Sequence, residues 1–523
     1  MRNLLAIGVV VVVLALPFVL RPKQNLLAEA DDTLVLISPH NEAIRYEFTR
    51  AFSEKYHRDT GRTVRLDWRT PGGGSEIARY IKSEFYNSFE NYWRSLGRAW
   101  TPDVIGAFDN PRVTPSASPA EDSPAQAARR SFLDSSVGIG IDVMFGGGSY
   151  DFIQQADAGR LVAGDLMRRH PDWFSENSIP QSVSGEVFYD PKGRWIGAAL
   201  SSFGICYNTD SLHRLGVTRV PSGWDDLADP VYWNEVALTD PSKSGSAAKA
   251  FEMILQQKMQ QAGEDRLGEG WAAGLNLIQA AAANARYFTD AAGRVPMDVA
   301  AGDAAIGMCI DFYGRFQSEY IAAPGGVSRL VYVTPSGGSS VGVDPIAILR
   351  GAPNRAIAER FVEFVLSIEG QKLWNFRVGT PGGPVKYALR RLPVRKELYS
   401  EEYTAFRSDP TVFPYEDARL FTYHAAWTAP LFRVIGLIVR VMTQDSHDEL
   451  AAAWEALIAA GFPPEATRKF HDVSSVSYAA AKEKLRPVLS SPDRIAEVAL
   501  TRELTEAFRR QYREAAQLAR EGK

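Results

Sequence analysis

The sequence has few of the residues and motifs on which catalytic and metal sites are usually built. It contains only two cysteines, Cys206 and Cys309, and seven histidines that are scattered along 523 residues. It has no phosphate-binding P-loop and no H-E-x-x-H zinc motif. Its two cysteines do not have the spacing of a zinc site. These absences argue against an enzyme or a metalloprotein and predict a binding protein that needs no cofactor.

The chain also lacks an excess of charge of either sign. Its 58 basic and 62 acidic residues give a formal net charge of −4. Proteins that bind nucleic acids usually carry a basic excess or a dense basic face, and neither is present. The hydrophobic share of 45% and the charged share of 23% are typical of a soluble globular protein. Single cores seldom grow beyond about 250–300 residues, so the length predicts at least two domains.

The N-terminal segment differs from the rest of the chain. A short basic start precedes the apolar stretch Leu4–Leu20, and residues 28–30 (Ala-Glu-Ala) have the small-x-small pattern of a cleavage site. Arg21 and Lys23 follow the apolar stretch, which also suits an uncleaved membrane anchor. A signal peptide or an N-terminal anchor over residues 1–30 would each export the rest of the protein. We therefore expect a periplasmic protein.

The two cysteines leave two interpretations open. Neither directly follows the apolar stretch, so a lipid-anchored lipoprotein is not expected. Cys206 and Cys309 both lie in apolar, strand-like runs. The periplasm permits a disulfide between them, and buried thiols that act as small hydrophobic side chains are the alternative.

From residue 33 onwards the hydrophobic pattern alternates between strands and helices. A strand-like run at 34–37 precedes a helical pattern near 41–57, and a second strand-like run at 63–68 precedes another helix. This order predicts an α/β fold with a mostly parallel sheet. Residues 86–136 break the pattern and predict an insertion with a mobile loop in its middle. Residues 416–523 predict an α-helical C-terminal extension packed on the core.

Four strand-to-helix junctions are candidate parts of a binding site. They lie at 38–42 (Ser-Pro-His-Asn-Glu), 71–76 (Pro-Gly-Gly-Gly-Ser-Glu), 240–246 (Asp-Pro-Ser-Lys-Ser-Gly-Ser) and 311–313 (Asp-Phe-Tyr). Small residues at such junctions leave the first backbone N–H groups of a helix open to an anion. The same residue types also cap helices in most proteins, so a purely structural role stays open for each one.

In their order and spacing, these segments resemble the extracellular solute-binding proteins of ABC importers, in particular the group that binds ferric iron, phosphonates or phosphosugars. The resemblance is carried by segments 37–42, 141–143, 203–209, 240–246, 301–307 and 343–348. It implies a two-lobed periplasmic-binding-protein fold, type II-like, with crossover hinge strands. Lobe one would comprise 33–200 with 320–415, and lobe two would comprise 205–315. A membrane permease and an ATPase would be the partners.

The resemblance also implies a ligand in the cleft between the lobes. The residues favour a small anionic solute that carries a phosphate, phosphonate or carboxylate group. Helix starts at 73–75 and 242–246 are expected to face each other and to offer N–H groups, hydroxyls and positive helix ends. The candidate ligand-binding residues are His40, Gly73, Gly74, Ser75, Ser201, Ser202, Ser242, Ser244, Gly245, Ser246, Tyr313 and Asp344.

Two other functions stay open. Family members that bind ferric iron hold it with tyrosinates, commonly an adjacent pair, whereas this chain has Phe312 and Tyr313 at that position. The candidate iron ligands are then Tyr313, His40 and Glu42, and the missing second tyrosine disfavours iron. A membrane-anchored ligand sensor or adaptor is the alternative from another class. The N-terminal segment and the helical extension both suit it.

Overall fold

The computed structural model describes residues 30–322, 326–491 and 493–523, so the predicted signal peptide or anchor lies outside the described residues. The strands are β1 (Asp32–Ile37), β2 (Val64–Arg69), β3 (Val143–Phe145), β4 (Leu161–Val162), β5 (Ser182–Val183), β6 (Glu186–Val187), β7 (Ile196–Ser201), β8 (Phe203–Asn208), β9 (Val236–Thr239), β10 (Ala285–Thr289), β11 (Ile306–Ile310), β12 (Leu330–Val333), β13 (Gly342–Leu349) and β14 (Leu392–Pro393).

The α-helices are α1 (Glu42–Thr60), α2 (Gly74–Ser95), α3 (Pro102–Ile105), α4 (Pro124–Asp134), α5 (Ser149–Ala158), α6 (Leu166–Arg169), α7 (Thr209–Arg214), α8 (Gly245–Ala262), α9 (Leu267–Ala283), α10 (Arg294–Ala301), α11 (Asp311–Ile321), α12 (Arg355–Leu366), α13 (Ile368–Asn375), α14 (Glu401–Thr404), α15 (Pro414–Asp417), α16 (Ala425–Thr428), α17 (Phe432–Val439), α18 (His447–Ala460), α19 (Pro464–Phe470), α20 (Tyr478–Ala480), α21 (Arg486–Ser490) and α22 (Arg494–Arg520).

Lobe one is built on a seven-stranded sheet. The strand order is β14-β7-β13-β3-β1-β2, and β4 pairs with β13. β1 is parallel to β2 and β3, whereas β13 runs antiparallel to β3 and β7. α1 follows β1 and buries Ile44, Phe48 and Phe52, which lie four residues apart on one helical face. The predicted α/β lobe is confirmed, but the prediction of a mostly parallel sheet is wrong, because β13 and β7 pair antiparallel with their neighbours and only β1–β2 and β1–β3 are parallel.

The predicted insertion starts later than residue 86, because α2 runs on to Ser95. Phe85, Phe89 and Trp93 are buried at intervals of four residues and form the inner face of this helix. Two helices, α3 and α4, flank the segment predicted to be a mobile loop, and Phe132 of α4 is fully buried in the core of lobe one. The insertion is thus an integral part of lobe one.

Lobe two is built on a second sheet with the order β10-β9-β11-β8-β12. Only Ser202 separates β7 of the first sheet from β8 of the second, so the chain crosses between the lobes at this residue. It returns through residues 334–341, between β12 and β13. The predicted two-lobed fold with crossover strands is confirmed.

The return crossover corrects one predicted boundary. The sequence predicts that residues from 320 onwards belong to lobe one. β12 instead pairs antiparallel with β8, with Leu330 opposite Asn208, and Leu330 is fully buried in lobe two. Lobe two therefore extends to residue 333, because the hydrophobic side of β12 is covered only in the second sheet.

The helical C-terminal extension packs on lobe two. The Trp271 indole N–H donates to the carbonyl oxygen of Val476 at 3.0 Å, and the Gln279 amide donates to the Tyr512 hydroxyl at 3.1 Å. One continuous helical stretch of the described residues, Ala425–Gln444, is long and apolar enough to cross a membrane. Its side chains Ile435 and Ile438 are fully buried in the lobe-two core, as expected of an internal helix.

The extension also contacts lobe one. The Tyr423 backbone N–H donates to the carbonyl oxygen of Ser184 in the β5–β6 hairpin at 2.8 Å. The rings of Tyr150 on α5 and Phe432 on α17 lie 4.7 Å apart. The extension therefore touches both lobes on one side of the cleft.

A buried cluster of charged groups joins these three parts. Lys249 of α8 has its Nζ 3.0 Å from Glu186 Oε1 and 3.0 Å from Glu252 Oε2. Tyr423 of the extension donates to Glu252 Oε1 at 3.0 Å, and Ser340 of the return crossover donates to Glu186 Oε1 at 2.6 Å. Burial lowers the pKa of Lys249, but the charges of Glu186 and Glu252 raise it more, so the ammonium stays charged.

The two cysteines lie in neighbouring strands of lobe two as free, buried thiols. Cys206 lies opposite Gly307 and Cys309 lies opposite Gly204 in the β8–β11 pairing. Burial raises the pKa of the Cys309 thiol, which disfavours the reactive thiolate.

Replacing Lys249 with Met should lower the free energy of unfolding by about 3–5 kcal/mol, because Glu186 and Glu252 would stay buried without a counter-charge. The measurement is urea unfolding followed by circular dichroism. Lys258→Met is the matched control on the same helix, since Asp225, its ion-pair partner, is 66% exposed. The control should lose at most about 1 kcal/mol. Equal losses in both variants would show that the buried cluster adds no special stability.

Candidate functional site

Three helix N-termini meet where the two lobes face each other. They belong to α2 and α5 of lobe one and to α8 of lobe two. A Cβ atom built on Gly73 would lie 3.1 Å from the carbonyl oxygen of Lys243, and one on Gly74 would lie 3.8 Å from Gly147 Cα. A Cβ atom on Gly73 would require a small shift of the Lys243 backbone, whereas the distance between a Cβ atom on Gly74 and Gly147 is an ordinary contact. The N–H groups and positive ends of three helices therefore point toward one region.

Glycine is required at the start of α5. Gly146 and Gly147 have φ angles of 91° and 117°, in the region that other residues rarely adopt. A Cβ atom on Gly146 would also lie 2.5 Å from His40 Nε2. The glycine run after β3 thus lets the chain turn tightly beside His40.

A buried arginine, Arg391, lies at the base of this region and was not among the predicted site residues. Its side chain is 1% exposed and forms an ion pair with Asp344. Its Nη1 also lies 3.3 Å from His40 Nε2, and its Nη2 donates to Ser201 Oγ at 2.7 Å. The guanidinium lies 4.1 Å from the centre of the Phe312 ring. Arg391 therefore joins three predicted site residues of lobe one to the start of α11 in lobe two.

Asp344 and His40 hold defined protonation states beside Arg391. Burial raises the pKa of Asp344, but Arg391 and the hydrogen bond from His40 lower it further, to about 2. Asp344 Oδ1 also accepts a hydrogen bond from the Gly147 N–H at 2.5 Å. Burial lowers the pKa of His40 although Asp344 opposes the shift, so the imidazole is neutral at pH 7. The group thus combines one cation, one anion and one neutral ring.

The segment that carries Arg391 is fixed by Glu47 of α1. This buried carboxylate accepts hydrogen bonds from three consecutive backbone N–H groups, those of Val385, Lys386 and Tyr387, at 2.7–3.0 Å. The Arg391 backbone N–H donates to the carbonyl oxygen of Trp374 at 2.9 Å. The position of the Arg391 guanidinium is therefore fixed both by the hydrogen bonds of its backbone segment and by the partners of its side chain.

The predicted residues at the crossover take part in the hinge. Ser202 Oγ lies 3.2 Å from Thr334 Oγ1, and the Ser202 carbonyl oxygen accepts from the Asp311 N–H at 3.0 Å. Tyr313 packs against Phe312 with ring centres 4.1 Å apart. Burial raises the pKa of Tyr313, so its hydroxyl stays protonated at neutral pH. These contacts join both crossover segments to the start of α11.

In the 242–246 turn, some residues form hydrogen bonds that stabilise the turn, and others border open space. Ser244 caps α8 by accepting from the Ala247 N–H at 3.3 Å, and the Ser242 N–H donates to Asp240 Oδ1 at 2.8 Å. Lys243 pairs with Asp290 of its own lobe at 2.6 Å. Gly245 has open space where a side chain would lie. Ser75 and Ser246, at the starts of α2 and α8, are half-buried.

The three candidate iron ligands are not equivalent in the structure. His40 is buried beside Arg391, whereas Glu42 is exposed on the first turn of α1. The positive charge of Arg391 acts on Tyr313 as well. In the described ranges, no three His, Cys, Asp or Glu side chains are grouped so that they could hold a metal.

Comparisons with known proteins agree with this architecture. Residues 175–395 match the family model described as "Bacterial extracellular solute-binding protein". The match includes both crossovers, lobe two, Asp344 and Arg391. An uncharacterized protein of Haemophilus influenzae is 29% identical over 246 residues, which are 42% of this chain and 66% of that protein.

Two further similarities are more distant. The phosphoglycerate transport regulatory protein PgtC of Salmonella typhimurium is 23% identical over 199 residues, covering 38% of this chain and 43% of PgtC. The chain thus spans less than two thirds of both curated relatives. The periplasmic binding protein AfuA of Actinobacillus pleuropneumoniae, solved with fructose-6-phosphate bound, is 18% identical with a TM-score of 0.46. That similarity covers 70% of this chain and 86% of AfuA.

One carboxyl group, that of Asp151, lies beside the three helix starts. It is on the first turn of α5, and a Cβ atom on Gly74 would lie 3.1 Å from its Oδ2. Burial raises the pKa of Asp151 to about 6, although Arg79 opposes the shift. The site therefore gains a negative charge as the pH rises through about 6.

Replacing Asp151 with Asn should remove a pH-dependent loss of stability. The folded-state pKa of about 6 lies above the ordinary value of 3.8, so the folded protein binds more protons between these values. Relative to the variant, the wild type should lose stability as the pH rises from 4 to 7, measured by urea unfolding. Asp157→Asn, on the exposed side of the same helix, is the control. A constant difference between wild type and Asp151→Asn across this range would contradict the assignment.

Proposed function

We propose that this chain, whose residues 175–395 match the family model of bacterial extracellular solute-binding proteins, is the substrate-binding component of an ABC importer. It captures a small anionic solute that carries a phosphate, phosphonate or carboxylate group, and delivers it to a membrane permease. The observation that carries this proposal is the convergence of three helix N-termini from both lobes beside Arg391.

Helix N-termini are suited to bind an anion without a free cation. Each offers up to four backbone N–H groups that have no partner within the helix, together with a partial positive charge. The hydroxyls of Ser75 and Ser246 lie next to two of these helix starts. Asp344 does not oppose an anion strongly, because Arg391 and the Gly147 N–H neutralise it. The site thus provides donors from both lobes to a single ligand.

Asp151 favours phosphate over a permanently charged anion. The second ionisation of a phosphate monoester has a pKa near 6. Since the pKa of Asp151 is also raised to about 6, a carboxyl and a phosphate oxygen can share one proton near neutral pH. The name of the curated relative PgtC, a phosphoglycerate transport regulatory protein, supports a phosphate-bearing ligand.

Closure of the two lobes completes the site. The lobes are joined through Ser202 and residues 334–341, and the helix starts lie on opposite sides of the cleft that these crossovers border. Hinge closure brings the donors of α8 toward those of α2 and α5 and excludes water from the ligand. The closed shape is what a permease and its ATPase would recognise, and the periplasm is the compartment in which this occurs.

A second candidate function is that of a ligand sensor or adaptor. It is favoured by the word "regulatory" in the name of PgtC and by the helical extension, which covers lobe two and contacts lobe one. Both functions share the same binding site. Measuring uptake of the bound solute in cells that lack the gene distinguishes the two functions. Uptake is lost if the protein is a transport component and is kept if it is only a sensor or adaptor.

Blocking the helix starts should abolish ligand binding without unfolding the protein. Gly74→Leu places a side chain toward Asp151 and Gly147, at a helix start where Leu also has the better helix propensity. Ser246→Leu tests the opposite lobe and leaves the cap residue Ser244 in place. Gly268→Leu is the control, because Gly268 on α9 has open space for a side chain. It also lies beyond the C-terminal end of α8, and the 18 residues of that helix span about 27 Å from the cleft.

The readout is thermal shift with 3-phosphoglycerate, inorganic phosphate, phosphonoacetate, citrate and ferric citrate. A ligand at about 100 times its Kd stabilises the wild type by about 2.7 kcal/mol. Gly74→Leu and Ser246→Leu should lose this shift, whereas Gly268→Leu should keep it. A shift with ferric citrate alone, accompanied by an orange colour that Tyr313→Phe abolishes, would overturn the anion proposal.

A further inference from the structure

A second basic site lies outside the cleft, in a groove of about 350 Å³. One wall is Arg112 of the lobe-one insertion, and the other is formed by the C-terminal extension. The residues that line the groove are Arg112, Lys482, Arg486, Pro487, Ser490 and Ser491. The volume falls in the range of sites for small molecules. Three basic residues and two serines thus line one groove, and no acidic residue is among the described residues that line it.

The three basic side chains of the groove lack the acidic partners that neighbouring basic residues have. Lys484 lies 3.6 Å from Glu503, and Arg494 lies 2.7 Å from Glu497, so adjacent basic residues have acidic partners. In the part of the chain that the structure describes, no carboxylate oxygen lies within 4 Å of the charged groups of Arg112, Lys482 or Arg486. Like charges that face one another repel, and a multivalent anion between them removes this repulsion.

The extension holds its two basic residues in place. A π-helical turn over Ala481–Leu485 leads into α21, and such turns are frequent at functional sites. Lys482 and Arg486 are four residues apart on this continuous helical stretch, so they share a face. The Lys482 ammonium lies 5.1 Å from the centre of the Tyr478 ring. Arg112 follows a turn in which Asn110 accepts from the Arg112 N–H at 3.0 Å.

We propose that this groove binds a multivalent phosphate-type anion between the insertion of lobe one and the C-terminal extension. The groups that recognise it are two guanidinium groups, one ammonium and the hydroxyls of Ser490 and Ser491. Guanidinium groups bind phosphate through paired N–H donors, which favours a polyphosphate or a phospholipid headgroup. Because Arg112 belongs to lobe one and the extension packs on lobe two, the anion bridges the two bodies that move in closure.

Calorimetric titration with inorganic pyrophosphate tests the site, in Gly74→Leu protein so that the cleft does not contribute. We expect one binding event. Arg112→Gln and Arg486→Gln, each added to Gly74→Leu, should weaken it at least tenfold, because both walls supply a guanidinium. Lys484→Gln, whose lysine has an acidic partner, should change the Kd by less than twofold. Equal binding after Arg112→Gln or Arg486→Gln would overturn the proposal.

Flotation with vesicles of phosphatidylcholine alone or with one quarter phosphatidylglycerol separates the two sources of phosphate. Binding of free pyrophosphate without vesicle binding identifies a soluble polyphosphate, and charge-dependent vesicle binding that Arg112→Gln abolishes identifies a lipid headgroup. Binding of neither probe would overturn the site. The result is independent of the proposed function, which fails only if wild-type protein binds none of the small anions in the cleft.

Discussion

The geometry of the cleft depends on the buried ion pair between Arg391 and Asp344. A guanidinium that is 1% exposed is costly to bury unless its charge and donors are satisfied. Asp344 balances the charge, Ser201 accepts from Nη2, and the face of Phe312 packs against the guanidinium, whereas Nε has no hydrogen-bond partner among the described residues. Because these partners lie on β13, β7 and the start of α11, the pair fixes where elements of both lobes begin or end. The helix starts are held in position by that requirement.

The cluster around Lys249 imposes a second constraint, on how the lobes can part. It joins α8 of lobe two to Glu186 in the lobe-one hairpin and to Tyr423 of the extension. Separating the lobes on this side would leave buried charges without partners. The approach at Gly73 and Lys243, by contrast, involves backbone atoms, and the Lys243 ammonium pairs within its own lobe. Opening should therefore separate Gly73 from Lys243, with the extension side, which also contacts Tyr150 at the start of α5, acting as the pivot.

The sequence predicted the fold class and the junctions well, because both depend on local patterns. Strand–helix alternation and glycine-rich turns are visible over a few residues. The lobe boundary near 320 was wrong, since a short strand such as Leu330–Val333 has the same pattern in either sheet. Arg391 was missed because its burial depends on Asp344, 47 residues earlier, and on a loop fixed by Glu47. The ligand contacts of the individual site residues stay predictions.

The overall charge of the chain gives no reason to expect an anion site. The local arrangement explains why the proposed site does not need an excess of positive charge. Backbone N–H groups and helix dipoles are fixed in direction and carry only partial charges, so they attract an anion without a free cation. Each lobe holds only part of this donor set: α2 and α5 in one lobe and α8 in the other. Under the proposed function, neither part alone would compensate the desolvation of a phosphate group. The affinity for the proposed anion would then depend on closure, and opening of the lobes would be sufficient to release it.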